Sequence, residues 1–471
     1  MTLRSVTVLA GLAILSGCAT PSVHLPAKMA APDSWRTSPA MPRTSEPSGE
    51  SAPWWGQLAD PVLDQFIALA LAENTDIRIA SARIQQARSQ MAGSVAEQRP
   101  NLGSNLDARR ERVPRGRIRW QDGVTVKVPP YLRSQILYQA VEASYEIDLL
   151  GRLSLAVQAA ESELLATEAD RRAVRLWVAH EVVVAYTDAR LAERLLPHAN
   201  RAFELFTALL NAERSKRAAG LSTLAAVHSI EDELAGVREA LADLERSRSL
   251  GLARLALVLG KAPSELAWSP ADAPAAQLPD IGVIDADLPT AVLDRRPDVD
   301  AAWRRVVAST TDAERIRLEK YPKFTLTSGV GLFGTLRTWL TGEALGWAIG
   351  AAIQGPLLDG GRVKARTDVA SAIAVERYME YRKVVLQVLN EVESALTEAA
   401  YTQEQLRIAE SATNRRAADT IAVSNLMHQG MSGRLAFLRA ELARIDAIQL
   451  ETVRRHNLIL AWASVQKTLG R

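Results

Sequence analysis

Two stretches of equal length constrain what this chain can fold into. Between Gly151 and Gly220, and again between Gly361 and Gly430, the sequence is dense in Ala, Leu, Glu and Arg, the residues that lose least on entering a helix. Each stretch reads as one helix of about 68 residues, about 100 Å long at 1.5 Å per residue. Both open on a Gly-Arg pair and both close on a glycine. Pro197 interrupts the first, and its counterpart in the second is Arg407, so the two rods need not bend alike. A second helix returns from the first rod over Thr223 to Leu259, after the turn Ala219-Gly220-Leu221-Ser222. Antiparallel helices joined by so short a turn pack along their length.

The chain carries this programme twice. Arg296-Pro297-Asp298 stands 222 positions after Asn74-Thr75-Asp76, and Tyr321-Pro322 stands 222 after Arg99-Pro100. Beyond the next segment the offset is 210: Gly361 against Gly151, Gly430 against Gly220, Gly470 against Gly260. The change falls where the first repeat has a longer, basic, proline-bearing loop from Arg112 to Leu132. A first repeat therefore spans 57–260 and a second 290–471, separated by an irregular crossover, 261–289, with Pro263, Pro270, Pro274, Pro279 and Pro289.

Each repeat begins with helical apolar spacing: Leu63, Phe66, Ile67, Ala70 and Leu71, then Ile77, Ala80, Ile84, Ala87 and Met91, in the first. Asp60-Pro61 supplies an N-cap followed by proline at N1. Next come two segments of period two. The first repeat reads as strands over about 101–111 and 135–148, and the second over about 324–333 and 344–355. Phe324, Leu326, Val330 and Leu332 share one face, as do Leu345, Trp347, Ile349, Ala351 and Ile353. Strands of about ten residues have the length that spans a bilayer as β structure, although alternation alone does not separate them from a soluble hairpin.

The N-terminus has the anatomy of an export signal: a charged start at Arg4, an apolar run from Val6 to Leu15, and Leu15-Ser16-Gly17-Cys18. Cys18 is the only cysteine. The tetrapeptide resembles a bacterial lipoprotein signal, which implies cleavage of residues 1–17 and acylation of Cys18; the plainer alternative is a secretory signal with a chance cysteine. Residues 18–56, rich in proline, then form a tether, and Ala19 after the cysteine matches sorting to the outer membrane.

Net charge +2 on 23% charged residues gives no basic excess for nucleic acid. The six histidines never fall at i, i+4 spacing, and each reads as a helix-surface residue; no metal site and no catalytic constellation is expected. Gly329, Gly331 and Gly334 match a dinucleotide fingerprint in spacing but lie within a strand and its turn, where no helix opens. Gly346-x-x-x-Gly350 falls in an apolar run too short to span as a helix.

Tyr145-Glu146-Ile147-Asp148-Leu149-Leu150-Gly151-Arg152, Arg295-Arg296-Pro297-Asp298, Gly355-Pro356-Leu357-Leu358-Asp359-Gly360-Gly361-Arg362 and Asn390-Glu391-Val392-Glu393-Ser394-Ala395-Leu396 resemble the outer membrane efflux proteins of the TolC type, in their lipoprotein branch. The resemblance covers Trp54 to Gly470. It implies a mainly α chain with a small transmembrane β part: two tandem repeats of helix, strand, strand, long helix and helix. Three such chains form a homotrimer with a twelve-stranded β-barrel and an α-helical periplasmic barrel. It implies a passive duct in the cell outer membrane, without enzymatic activity or cofactor beyond the lipid on Cys18. Its partners would be a periplasmic adaptor and an inner membrane transporter, docking at the hairpin tips Ala219, Gly220, Leu221 and Ser222 and Gln429, Gly430, Met431 and Ser432. Family members commonly carry Asp where this chain has Ala436 and Arg439, so the aperture is expected to be lined by Arg439 and Arg434 and to favour anions. A type I secretion duct and a non-transporting coiled-coil scaffold lipoprotein are the alternatives. A periplasmic adaptor would carry only one long hairpin.

Overall fold

A computed structural model describes residues 23–36, 53–114, 131–266, 268, 287–335, 337–338 and 342–471. The signal segment, Cys18, part of the tether, the interior of the basic loop and most of the crossover lie outside them. In chain order the first repeat has helices α1 (Pro61–Glu73) and α2 (Thr75–Glu97), strands β1 (Asn101–Pro114) and β2 (Tyr131–Ile147), and helices α3 (Arg152–Ala218) and α4 (Leu224–Val258). The second has α5 (Pro289–Arg295), α6 (Pro297–Arg317), β3 (Lys323–Gly334), β4 (Leu345–Gln354), α7 (Arg362–His428) and α8 (Arg434–Thr468). The long helices α3 and α7 have 67 residues each and the returning helices α4 and α8 have 35 each, all four pairs of ends separated by 210 positions. Helix α3 continues through Pro197.

Local chemistry explains the boundaries. Asp60 caps α1, its Oδ1 accepting from the amides of Val62 at 2.9 Å and Leu63 at 3.2 Å. The helical spacing of the first repeat divides at Asn74, whose Oδ1 accepts from Asp76 N at 2.8 Å and so caps α2. Each of the four long hairpin helices ends in the same bonded turn. In α3, Leu221 N donates to Lys216 O and Gly220 N to Arg217 O, both at 2.9 Å; the pattern recurs at Met431 and Gly430. Gly220 sits at φ +75° and Gly430 at +71°, the left-handed conformation such a turn needs and a side chain resists.

The chain divides into two compact units. One, made of Met1–Ala27, Ile84–Ala166 and Trp303–Glu380, contains the sheet. Its strands are antiparallel in the order β1-β2-β3-β4, so both repeats contribute to one sheet. The other, made of Lys28–Arg83, Thr167–Ala302 and Tyr381–Arg471, contains the hairpins and their core. There Leu205, Leu209, Val227, Ile230, Leu438 and Leu442 form one buried cluster, so residues from both hairpins share it. Thr413 and Thr420 of α7 donate to the Ala447 and Ala440 carbonyls of α8, each at 3.2 Å.

In this second unit the repeat symmetry extends to an unexpected anchor. Asn74 is buried and its Nδ2 donates to Val258 O at 2.7 Å, the carbonyl near the end of α4. Arg296, 222 positions later, is also buried and donates through Nη1 to Thr468 O at 3.0 Å, the matching carbonyl of α8. Arg296 additionally forks onto Asp298 at 2.6 and 2.8 Å and reaches Glu391 at 3.1 Å. Two histidines depart from the surface expectation. His456 is buried against Asp188 at 3.2 Å, and His180 is largely enclosed. Helix α8 near its end and the middle of α3 are packed on nearly all sides, so their polar positions are interior ones.

Candidate functional site

The sheet decides the chemistry of the first unit. In an antiparallel pair, residues directly opposite one another share a face. The register places Leu106 beside Gln139, Ala143 beside Leu102 and Ser328, Val141 beside Val330, and Val330 beside Trp347. One face therefore carries Leu102, Leu106, Val141, Tyr145, Phe324, Leu326, Val330, Leu345, Trp347, Ile349 and Ile353 in an apolar belt. The opposite face carries Gly103, Asn105, Glu142, Ser144, Thr327, Gly329, Ala348 and Gly350. Among the described residues nothing covers the belt: Trp347 is 76% and Ile349 79% exposed. On β4 it runs from Leu345 to Ile353, about 26 Å along the strand and about 20 Å tall at an outer-membrane tilt. Among the described residues no helix is long and apolar enough to cross a membrane. Ser104 and Gln139 interrupt the belt, which is why the first repeat alternates less clearly than the second.

The junctions that turn strand into helix are fixed by the carboxylates of the two strand-to-helix motifs, Glu146, Asp148 and Asp359. Glu146 at the end of β2 accepts from Arg152 at 2.8 and 2.9 Å, a half-buried pair. Asp148 Oδ2 takes the Ser154 amide at 2.7 Å, and Asp359 Oδ2 takes the Val363 amide at 2.9 Å, capping α3 and α7. Those backbone bonds hold the Asp359 carboxyl below its ordinary range.

The hairpin tips stand clear of the core. Leu221 is 77% and Met431 67% exposed. The first tip is braced: Thr223 Oγ1 accepts from Ala226 N at 3.2 Å, Ser222 Oγ donates to Glu213, and Arg214 crosses to Glu231 at 2.6 Å. The second is plainer, because Gly433 caps α8 without a side chain. Arg434 and Arg439 are exposed on the first turns of α8, whereas Leu438 between them enters the shared core. The segment from Ile421 to Ala440 contains no carboxylate, so nothing within it offsets these two charges. The tether lies along α7: Tyr378 Oη donates to Ala27 O at 3.1 Å, and Arg36 N to Glu393 at 3.3 Å. Trp35 is buried and donates to Asp287 O at 2.7 Å. Cys18 itself lies outside the described residues. Among the described residues no cluster of His, Cys, Asp or Glu is arranged to hold a metal.

The sequence profile of a family described as "Outer membrane efflux protein" matches residues 66–261 and 288–471, one segment per repeat. Among curated proteins the chain is similar to the fusaric acid resistance protein FusA of Burkholderia cepacia, 28% identical over 375 residues, covering 78% of this chain and 69% of that one. It is similar to the pyoverdine export outer membrane protein OpmQ of Pseudomonas aeruginosa, 26% identical over 418 residues and covering 86% and 84%. Among solved structures, the outer-membrane channel OprN superimposes with a TM-score of 0.81 at 25% identity, covering 96% of this chain and 98% of that one. The outer membrane protein VceC of Vibrio cholerae superimposes with a TM-score of 0.75 at 24% identity, covering 89% and 98%.

Proposed function

The chain belongs to the outer membrane efflux protein family, and from that premise we propose that three copies close one barrel in the outer membrane and form the passive exit duct of an efflux pump. The observation that carries this reading is the four-stranded sheet with one bare apolar face. In lipid, an unpaired backbone group costs several kcal/mol. The sheet ends at β1 and β4, whose outer edges pair with no strand among the described residues. Lipid on the belt and further copies on both edges satisfy the two requirements together, and three chains of four strands give twelve. The small and polar face then lines the lumen. Because α3 and α7 follow β2 and β4 directly in the chain, helical staves continue the wall into the periplasm.

The remaining roles follow from the same reading. The tips around Gly220 and Gly430 meet a periplasmic adaptor, which links the duct to an inner membrane transporter. Cys18 carries the lipid that ties the tether to the outer membrane. Arg439 and Arg434, unopposed by carboxylates on the second tip, give the aperture a preference for anions. The named relatives concern fusaric acid resistance and pyoverdine export, and we take small-molecule export as the activity of this chain as well.

The test is deletion of the gene followed by a susceptibility panel, with heat-modifiable trimers sought in purified outer membranes. Crosslinkers placed at Leu221 and Met431 should capture the adaptor, and Cys18→Ser should abolish labelling with radioactive palmitate. In bilayers under a KCl gradient, Arg439→Asp should shift the reversal potential towards cation preference; a potential unaffected by the change refutes the aperture assignment. Unchanged susceptibility together with monomeric protein would overturn the duct reading.

A further inference from the structure

Resting on the reading of the polar sheet face as a lumen wall, we propose that Tyr138 and Phe333 form a specificity element at the exit, holding planar aromatic cargo as it leaves. Tyr138 on β2 and Phe333 on β3 are register partners, so they stand side by side on the face opposite the apolar belt. Among the described residues they are the only aromatic side chains on that face. Their ring centroids are 4.8 Å apart with planes inclined by 53°, a tilted aromatic pair in direct contact.

The pair has a built seat. The ring of Phe333 lies against the backbone of Gly346: a Cβ there would stand 2.9 Å from Phe333 Cδ2 and 3.0 Å from Cε2, so any side chain at position 346 would displace the ring. Tyr138 is oriented from the other side, its hydroxyl donating to the Glu142 carboxylate four residues along the same strand. Glu142 in turn stands beside Gly103 and Gly329, which leave it room. Phe333 nevertheless remains 50% exposed, so one aromatic surface is left open to whatever passes.

Position along the strand sets the level. The strand ends at Ile147 and Lys323 adjoin helices, whereas Phe333 is one residue from the loop end of β3 and opposite Tyr138, nine residues from Ile147. The pair therefore marks the outer margin of the belt, beyond which β1 and β2 alone continue the sheet to Pro114 and Tyr131. Twelve strands spaced by about 4.8 Å and tilted by about 40° enclose a backbone-to-backbone width of about 24 Å, before side chains narrow it. Three pairs around such a lumen meet planar cargo with rings, while the other described positions at this face offer small or polar groups, with Ile136 as a ringless apolar exception.

The test uses the purified full-length trimer in planar bilayers with symmetrical KCl and uncharged probes, 2-naphthol as the planar aromatic and cyclohexanol as its non-aromatic comparison. In the wild type, 2-naphthol should produce transient current interruptions and cyclohexanol none. Phe333→Leu keeps apolar bulk over Gly346 but removes the ring, and should shorten the interruptions by about threefold, the size of one aromatic contact. The Tyr138→Leu/Phe333→Leu pair should shorten them further, and Phe333→Trp should preserve them. Interruptions of equal length in wild type and Phe333→Leu, or their absence in a conducting wild type, would overturn the proposal. A wild type with no ohmic conductance would refute the duct reading itself and this inference with it.

Discussion

Gly220 and Gly260 end successive helices of the first repeat in the same bonded turn, at φ +75° and +71°, yet their surroundings differ enough to separate two energetic terms. An alanine at either position must adopt the left-handed conformation, at a cost of about 1 kcal/mol. At Gly220 that is the whole cost, because an added Cβ meets nothing within 4 Å. At Gly260 the Cβ would stand 2.7 Å from the carbonyl oxygen of Glu73 and 3.3 Å from its carbon. The obstacle is backbone, so it yields only by moving the end of α1 and with it Asn74, whose side chain holds Val258 O. Overpacking of this kind adds about 1–3 kcal/mol. Gly260→Ala should therefore lose about 2–4 kcal/mol per chain and Gly220→Ala about 1 kcal/mol. Denaturant titration followed by helical circular dichroism, at one fixed protein concentration because the assembly is oligomeric, measures both. Equal losses in the two variants would refute the close approach of α1 to the end of α4.

Arg296→Ala should cost about 2 kcal/mol, mainly from the Thr468 carbonyl left unpaired, since Asp298 and Glu391 are exposed enough to be re-solvated; Arg296→Lys, which keeps charge but loses the fork, should cost about half as much, and identical denaturation midpoints for the two would refute the role of the fork. Burial, and next the charge of Lys467, lower His180 to about 4, Glu181 opposing this only weakly while it is engaged by Arg254 at 2.7 Å. Since the unfolded chain takes up a proton near pH 6.5 and the native His180 does not, stability should fall by up to about 3 kcal/mol as pH drops from 6.5 to 4, and His180→Gln should flatten that dependence in the same titration. Amides of Leu435 to Phe437, in the helix turn capped by a glycine, should exchange hydrogen faster than those of Ala225 to Val227, capped by Thr223; equal protection by mass spectrometry would contradict the difference between the tips.

The helices were legible because their signals are local: a left-handed glycine, a cap or a proline acts within one turn, and an uninterrupted run of good helix formers needs no distant partner. The sheet was only half legible. Alternation in β1 is blurred by Ser104, and in β2 by Gln139, both on the apolar side, and the assignment of faces became definite only when Val141 was seen between Ser104 and Val330. The anchors at Asn74 and Arg296 were beyond reach, since their partners are main-chain carbonyls 184 and 172 residues away. A carbonyl leaves no mark in the sequence. His456 was misplaced on the surface for a related reason: spacing between histidines reports on metal binding and says nothing about whether a helix face is covered.

The repeat symmetry is kept by the backbone and broken by the side chains, and this bears on how a partner meets the tips. The two helical hairpins agree in length and in the bonded turn that ends each long helix, so three chains would present six tips of one main-chain geometry. The groups displayed there differ. The first tip offers Leu221 after Lys216 and Arg217, favourably placed at a helix C-terminus, and is braced by Thr223 and Ser222. The second offers Met431 after Met427 and His428 and is followed by Arg434 and Arg439, with no carboxylate between Ile421 and Ala440. A partner that reads the backbone turn therefore finds six equivalent places, whereas one that reads side chains finds three of each kind. The same division recurs deeper in the fold, where an amide in one repeat and a guanidinium in the other hold equivalent carbonyls. The charged version occurs in the second repeat, the one whose tip also carries Arg434 and Arg439, so the two repeats differ in electrostatics while their hairpin backbones match.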